Sequence, residues 1–258
     1  MSDDSQASEA ADAELSSGAK FRREAIEFGR FLLGAAAIFY LITTLLFRSF
    51  YIPSESMVPT LEVRDHLIVF NFPYGWSRHS LNFGVGGLLP EGEGRLFGRL
   101  PKRGHIVVFR SPTGREHIIK RVIGLPGDMI EVSDGRLYIN QELVPREFRR
   151  VVYYRNRRGE IVNGASLYEE TLPGGMTHAI YEVSDEARFD NFGPIVVPEG
   201  HIFVMGDNRD ESADSRAALG PVPVEYLVGR AVTVLFTFHR CRPEPNLECP
   251  TGRILRGL

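Results

Sequence analysis

Three short segments hold the side chains that could do chemistry: Ser54–Thr60 (SESMVPT), His117–Asp128 (HIIKRVIGLPGD) and Gly206–Arg216 (GDNRDESADSR). The middle one carries a physical oddity. In an extended strand residues two apart share a face, so Ile118, Lys120 and Val122 point one way and His117, Ile119, Arg121 and Ile123 the other. A lysine between isoleucine and valine loses hydration, and that loss favours the neutral amine by lowering its pKa. A neutral amine is a competent general base; an arginine, charged at every working pH, is not. The competing reading is a lysine whose stem packs while its head reaches water. Isoleucines stand on both faces, so spacing alone leaves both readings open.

Ser56 is the nucleophile such a base would need. Pro53 and Pro59 bracket it and restrict the backbone enough to hold one hydroxyl in a fixed direction. A serine of a structural turn would look the same. Gly206–Arg216 is a polar loop behind the apolar run IFVM, and its Asp207, Asp214, Arg209 and Arg216 suggest internal ion pairs that fix a loop. A calcium loop is the alternative, but arginines sit among the carboxylates and the ligand spacing is wrong. The seven histidines show no HxxH or HxxxH pair, so no metal site and no cofactor is expected. Gly84–Gly104, rich in Gly, Leu and Arg, reads as an irregular excursion; without a G-x-G-x-x-G after a strand it is not a phosphate loop.

The elements that must position these residues begin with a membrane-length run. Leu32–Phe47 (LLGAAAIFYLITTLLF) is uncharged and as a helix spans about 25 Å, a little short of a hydrocarbon core. Arg30 and Arg48 can snorkel to cover the difference, with Phe50 and Tyr51 as interfacial anchors. A buried core helix and a cleaved signal peptide are the alternatives, but no small-x-small cleavage pattern follows the run. The expected anchor is 28–50. Lys20, Arg22, Arg23 and Arg30 precede the run, against Arg48 and Arg64 after it, which puts the N-terminus in the cytoplasm and the bulk of the chain outside.

Of the 258 residues, 1–19 hold five carboxylates and no Lys or Arg, although the whole chain has a net charge of only -3. That acidic Ser/Ala-rich start has almost nothing to bury, so 1–27 is expected to be a disordered cytoplasmic tail. No basic block exceeds a few residues, which argues against a nucleic-acid partner. After the anchor the pattern is β: HLIVF, HIVVF, HIIKRVI, MIEV, RLYI, IFVM and GRAVTVLFTF, punctuated by Gly, Pro and Asp. Ser133-Asp134-Gly135 marks a hairpin. The fold expected is mainly β: one transmembrane helix, then an antiparallel β-sheet domain over 51–258. Its core is 51–132 and 196–258, with an inserted β subdomain at about 133–195. The only cysteines, Cys241 and Cys249, would form a disulfide in an oxidising compartment.

Taken together, the anchor, SESMVPT, RGHIVVF, KRVIGLPGD and GDNRDESADSR resemble the bacterial type I signal peptidases, membrane-bound Ser/Lys proteases. The resemblance spans essentially the whole chain. It implies Ser56 as nucleophile, Lys120 as general base, and an oxyanion hole made of the Ser56 N–H and the Ser54 hydroxyl. It implies that Ser212 orients the Lys120 amine, as the third member of a triad does, with Asp214 and Arg216 holding that loop and Asp207–Arg121 a second pair. Ile52, Pro53, Leu61, Ile118 and Ile119 would line pockets for small side chains at the first and third positions before the cleaved bond. The implied partners are signal-peptide-bearing precursors and the lipid bilayer of the inner membrane, with the secretion machinery nearby and the catalytic domain on the periplasmic side. His105 and Glu211 depart from common family spellings at positions with no bond-making role, and Glu55 stands where relatives often have a small residue. Three other readings compete. A self-cleaving repressor would need a DNA-binding or scissile segment where the anchor lies. A non-catalytic membrane-anchored β module would not need Ser56 and Lys120. An organellar inner-membrane precursor peptidase is the third.

Overall fold

A computed structural model of the chain describes residues 3–81, 87, 94–156, 158–237, 247–249 and 252–258. It forms two units, Met1–Thr44 and Leu45–Leu258. The first is one helix, α1 (Asp3–Leu45). The N-terminal stretch expected to be disordered is therefore helical. The expectation weighed how little this stretch can bury; its local preferences pull the other way, since Ala and Glu are good helix formers. Lys20–Leu45 is long and apolar enough to cross a membrane, and Phe31, Leu33 and Phe39 on it are exposed. The helix ends before Phe47 because the next residues pair into a sheet, so the segment expected to be anchor up to residue 50 finishes as a strand.

The second unit is built of strands β1 (Phe47–Tyr51), β2 (Asp65–Phe70), β3 (Ile106–Arg110), β4 (His117–Gly124), β5 (Met129–Ser133), β6 (Arg136–Ile139), β7 (Glu142–Leu143), β8 (Arg146–Arg155), β9 (Ile161–Leu172), β10 (Met176–Glu182), β11 (Phe192–Val196), β12 (His201–Met205), β13 (Val222–Pro223), β14 (Leu227–Thr237) and β15 (Arg256–Gly257). The main sheet runs β1-β2-β14-β3-β4-β12-β13, with β15 added along β14. All its pairings are antiparallel. Two smaller sheets lie between β4 and β12 in the chain: β11-β5-β6-β7 and β10-β9-β8. The extra region thus takes in all of β5 and β11, wider than the expected 133–195, because Met129 and Ile130 pair with Val196 and Ile195 rather than with the main sheet. Asp134 and Gly135 both have positive φ (47° and 70°) between paired Ser133 and Arg136, the backbone twist a two-residue hairpin needs.

Of the Gly84–Gly104 excursion, only Gly87 and residues from 94 onward are described. Arg95 within it donates to the carbonyls of Tyr74, Gly75, Val224 and Leu227, so this irregular segment is pinned by its own side chain. Two apolar clusters set up the site. Ile52, Met57 and Leu61 are buried with Leu67, Val69, Ile106, Val108 and Ile119. Val58, one residue after Met57, is buried instead with Val152, Tyr154, Ala165 and Tyr181 of the β10-β9-β8 sheet.

Candidate active site

β1 and β2 are joined by an excursion over 52–64, and its neck is closed by two backbone bonds. Ile52 N–H donates to Asp65 O at 2.9 Å and Arg64 N–H to Ile52 O at 2.8 Å. Inside the excursion Met57 and Val58 enter different clusters, so the chain at Ser56 is gripped between the main sheet and the β10-β9-β8 sheet. Asn208 completes the grip. Its backbone N–H donates to Ser56 O at 3.1 Å, and its side-chain amide donates to Glu55 O at 3.3 Å and Tyr154 Oη at 2.9 Å. The N–H of Ser56 has no acceptor among the described residues and stays free to donate. Ser54 is half-buried two residues before it.

Lys120 comes from β4, where it pairs with Val107 of β3. Its Nζ lies 2.6 Å from Ser56 Oγ. Both residues are buried, with 4% of Lys120 and 7% of Ser56 exposed. Burial pulls the Lys120 ammonium down from 10.5 to about 8; Asp214 and Asp207 push the other way and Arg216 assists. The flanking residues behave as their spacing suggests, since Ile118 and Val122 pack in one cluster with Val107 and Phe109.

The loop after β12 rests on buried ion pairs. Arg121 grips Asp207 through Nε–Oδ1 at 2.8 Å and Nη2–Oδ2 at 2.7 Å, and also reaches Thr60 Oγ1 at 3.2 Å and Gly104 O at 2.8 Å. Arg216 grips Asp214 through two bonds of 3.0 Å, and Asp214 Oδ2 accepts from Gly206 N–H at 2.9 Å. For both carboxylates burial pushes the pKa up, but the facing guanidinium outweighs it and holds them ionised below the usual range. Gly206 has to be glycine: a Cβ there would stand 2.3 Å from Ser212 Oγ and 2.4 Å from Ser56 O. That crowding places Ser56, Gly206 and Ser212 in one knot.

Three expectations are corrected here. Ser212 makes no hydrogen bond to Lys120: its buried hydroxyl has no partner among the described residues, and Lys120 Nζ is turned onto Ser56 Oγ. Arg209 pairs with neither nearby aspartate but with Glu170 of β9, through Nη1–Oε1 at 2.9 Å and a second contact from Nη2 to Oε2; Asp207 and Asp214 are already taken by Arg121 and Arg216. The third concerns the loop as a whole: its ion pairs are not all internal, as two of its three partners come from β4 and β9. Among the residues expected to line pockets, Ile52, Leu61 and Ile119 pack in one cluster, Ile118 packs in another, and Pro53 is exposed. Cys249 is disulfide-bonded, while Cys241 lies outside the described residues.

Sequence reasoning passed over Asn208, although it stands in the quoted loop, because a side-chain amide has no charge to betray its partner. It also missed Arg253, which donates to Asp65 Oδ1 at 3.0 Å, contacts Asp65 Oδ2 and donates to Thr60 O at 3.1 Å. His178 of β10 is buried beside this network, its Nε2 3.4 Å from Glu170 Oε2 and 3.9 Å from Asp207 Oδ1. Burial, then the Arg121 charge, hold its pKa down to about 4, so it sits there neutral.

The arrangement can do one thing well: pass a proton from a gripped serine hydroxyl to a desolvated amine. Comparison with known proteins gives this chemistry a family. Residues 25–236 match the family model described as "Signal peptidase, peptidase S26". Signal peptidase I of Rickettsia typhi is 38% identical over 218 residues, covering 82% of this chain and 80% of that protein. Signal peptidase I of Rickettsia bellii is 34% identical over 218 residues, covering 82% and 73%. A crystal structure of a signal peptidase I from Enterococcus faecalis is 29% identical and covers 51% of this chain and 97% of that one, at a TM-score of 0.30 too low to inform the fold. A match of this length, taking in most of the apolar helix and all three chemical segments, places the chain in the signal peptidase family, peptidase S26.

Proposed function

We propose that this peptidase removes signal peptides from secreted precursors, cutting after a small-x-small site with Ser56 as nucleophile and Lys120 as general base. The 2.6 Å contact between Lys120 Nζ and Ser56 Oγ in a buried site carries the reading. With Lys120 neutral, its lone pair accepts the Ser56 hydroxyl proton as Oγ attacks the scissile carbonyl carbon. The carbonyl oxygen becomes the oxyanion, and the free Ser56 N–H and the Ser54 hydroxyl donate to it. The Lys120 ammonium then protonates the leaving amine, the C–N bond breaks, and the signal peptide remains as an ester on Ser56. A water that gives its proton to Lys120 attacks the ester, and Ser56 recovers its proton as the acid leaves. Ser212, whose buried hydroxyl has no partner among the described residues, would accept an N–H of the neutral amine while the amine's lone pair faces Ser56 Oγ. Ile52, Pro53, Leu61, Ile118 and Ile119 would line the pockets for small side chains at the first and third positions before the cut.

The apolar helix anchors the protein in the inner membrane with its N-terminus in the cytoplasm. Ser56 follows the helix end at Leu45 by eleven residues, which suits a scissile bond that emerges at the membrane surface. Incubating a synthetic precursor peptide with the full chain and with Ser56→Ala, and reading the products by mass spectrometry, tests the reaction. A single cut after Ala-x-Ala by the wild type alone is expected; no such cut by folded protein would refute the reading. Protease added to spheroplasts should digest the region beyond Tyr51 and spare 1–20, and digestion of the tail would reverse the topology.

A further inference from the structure

Away from the Ser56–Lys120 contact, three carboxylates converge on one point. Glu182 ends β10, Asp190 lies in the connection to β11, and Asp210 lies in the loop after β12; one oxygen from each falls within 4.8 Å of the others. These segments meet because the ends of β10 and of β12 bond to each other: Tyr181 N–H donates to Asp207 O and Arg209 N–H to Tyr181 O, both at 2.9 Å. Like charges this close repel, and something must offset them. Arg146 contacts Glu182 and, at 3.0 Å, Asp185, and so offsets one of the three; Arg209 is held by Glu170 and Arg216 by Asp214, and Asp190 and Asp210 form no ion pair among the described residues.

Two oxygens of these side chains point to a missing ligand. Asp190 is 1% exposed, and its Oδ1 is buried without a hydrogen-bond partner among the described residues, as is Asp210 Oδ1. Their second oxygens are satisfied: Asp190 Oδ2 accepts from Ala187 N–H, and Asp210 Oδ2 accepts from Val183 N–H at 2.6 Å and Ser184 N–H at 3.0 Å. A buried carboxylate oxygen with no partner is costly. Magnesium demands near-ideal octahedral geometry and gives up its waters reluctantly, whereas calcium accepts carboxylates from irregular segments in a flexible geometry, which favours calcium here.

We propose that Glu182, Asp190 and Asp210 form a binding site for one hard divalent cation of calcium size. It ties the end of β10 and the 183–190 connection to the loop that carries Asp207, Asn208 and Ser212, so the ion braces the segment that grips Ser56 without touching the reacting atoms. The ligands come from three separate segments, which is why no ligand spacing announces them in the sequence. Full-length protein in detergent, stripped with chelator, is titrated with Ca²⁺ and with Mg²⁺ by calorimetry, and its thermal unfolding is followed at each concentration. One Ca²⁺ per chain is expected, with a Kd on the order of 10⁻⁴–10⁻³ M as in extracellular calcium modules, a Tm raised by several degrees, and Mg²⁺ at least tenfold weaker. Asp190→Asn and Asp210→Asn keep an acceptor for the backbone N–H groups and should each lose the binding and the Tm shift. No saturable Ca²⁺ binding by the wild type below ~10 mM, binding of Mg²⁺ as tight as Ca²⁺, or binding undiminished in either folded variant would overturn the site. Peptide cleavage measured alongside keeps the two readings apart: stripped protein should still cut the precursor peptide, though it should lose activity on heating sooner than the Ca²⁺-loaded form.

Discussion

Replacing Lys120 tests the mechanism most severely. At pH 7 an amine with a pKa of about 8, where burial places Lys120, is neutral about 9% of the time; at the ordinary value of 10.5 the neutral fraction is about 0.03%. Burial therefore multiplies the working form roughly 300-fold at neutral pH. Since only the neutral amine accepts the serine proton, kcat/KM for a precursor peptide should climb about tenfold per pH unit below 8 and level off above it. The same burial has a cost. Between pH 8 and 10.5 the unfolded chain holds a proton on Lys120 that the folded chain has lost, so stability rises with pH across that window. Below pH 8 the folded protein carries a buried ammonium worth about 3 kcal/mol of lost stability. Lys120→Met should thus be inactive yet more stable at pH 7 by up to about that amount, and the extra rise in stability above pH 8 should vanish with it. Lys120→Arg should be as inactive as Met, because a guanidinium does not give up its proton. Rates from pH 6 to 10, with folding checked by circular dichroism and thermal unfolding, decide the matter. A flat profile, an inflection near 10.5, or substantial cleavage by a folded Arg variant would remove Lys120 as the base.

Ser54→Ala should lose ~10²–10³ in kcat with little change in KM, as its hydroxyl helps only once negative charge develops, and Ser54→Thr should keep much of the rate; equal rates for wild type and Ala would leave the Ser56 N–H alone in the oxyanion hole. Arg253→Met strands the buried Asp65 carboxylate and should cost about 3–5 kcal/mol in denaturant unfolding; a cost below about 1 kcal/mol would mean that the pair is not buried as described. Cys249→Ser should leave peptide cleavage intact and lower stability by about 2–3 kcal/mol, the value for closing a short loop; free thiols in protein purified without reductant would contradict the bridge.

How much of this could be read from the residues depended on the range of the interaction. The Lys120 environment was legible because strand alternation is local: two residues to either side decide the face. Charge alone suggested pairs inside the loop, and the family resemblance supplied Asp207–Arg121. Arg209 misled because its partner Glu170 lies far away in sequence on β9. Ser212 shows a different limit: sequence put it in the right loop, but whether a hydroxyl meets an amine is a matter of one rotamer. The tail of α1 failed because burial and helix propensity gave opposite answers, and the outcome followed propensity.

The Arg253 clasp has a consequence in time. Arg253 meets Asp65 across 188 positions of sequence and also holds the Thr60 carbonyl, and Asn208 grips the Ser56 carbonyl from beyond the β10-β9-β8 sheet in the chain. Contacts so distant form slowly, because ordering a long loop costs entropy before the contact is made. The segment around Ser56 should therefore be among the last parts of the domain to become rigid on refolding.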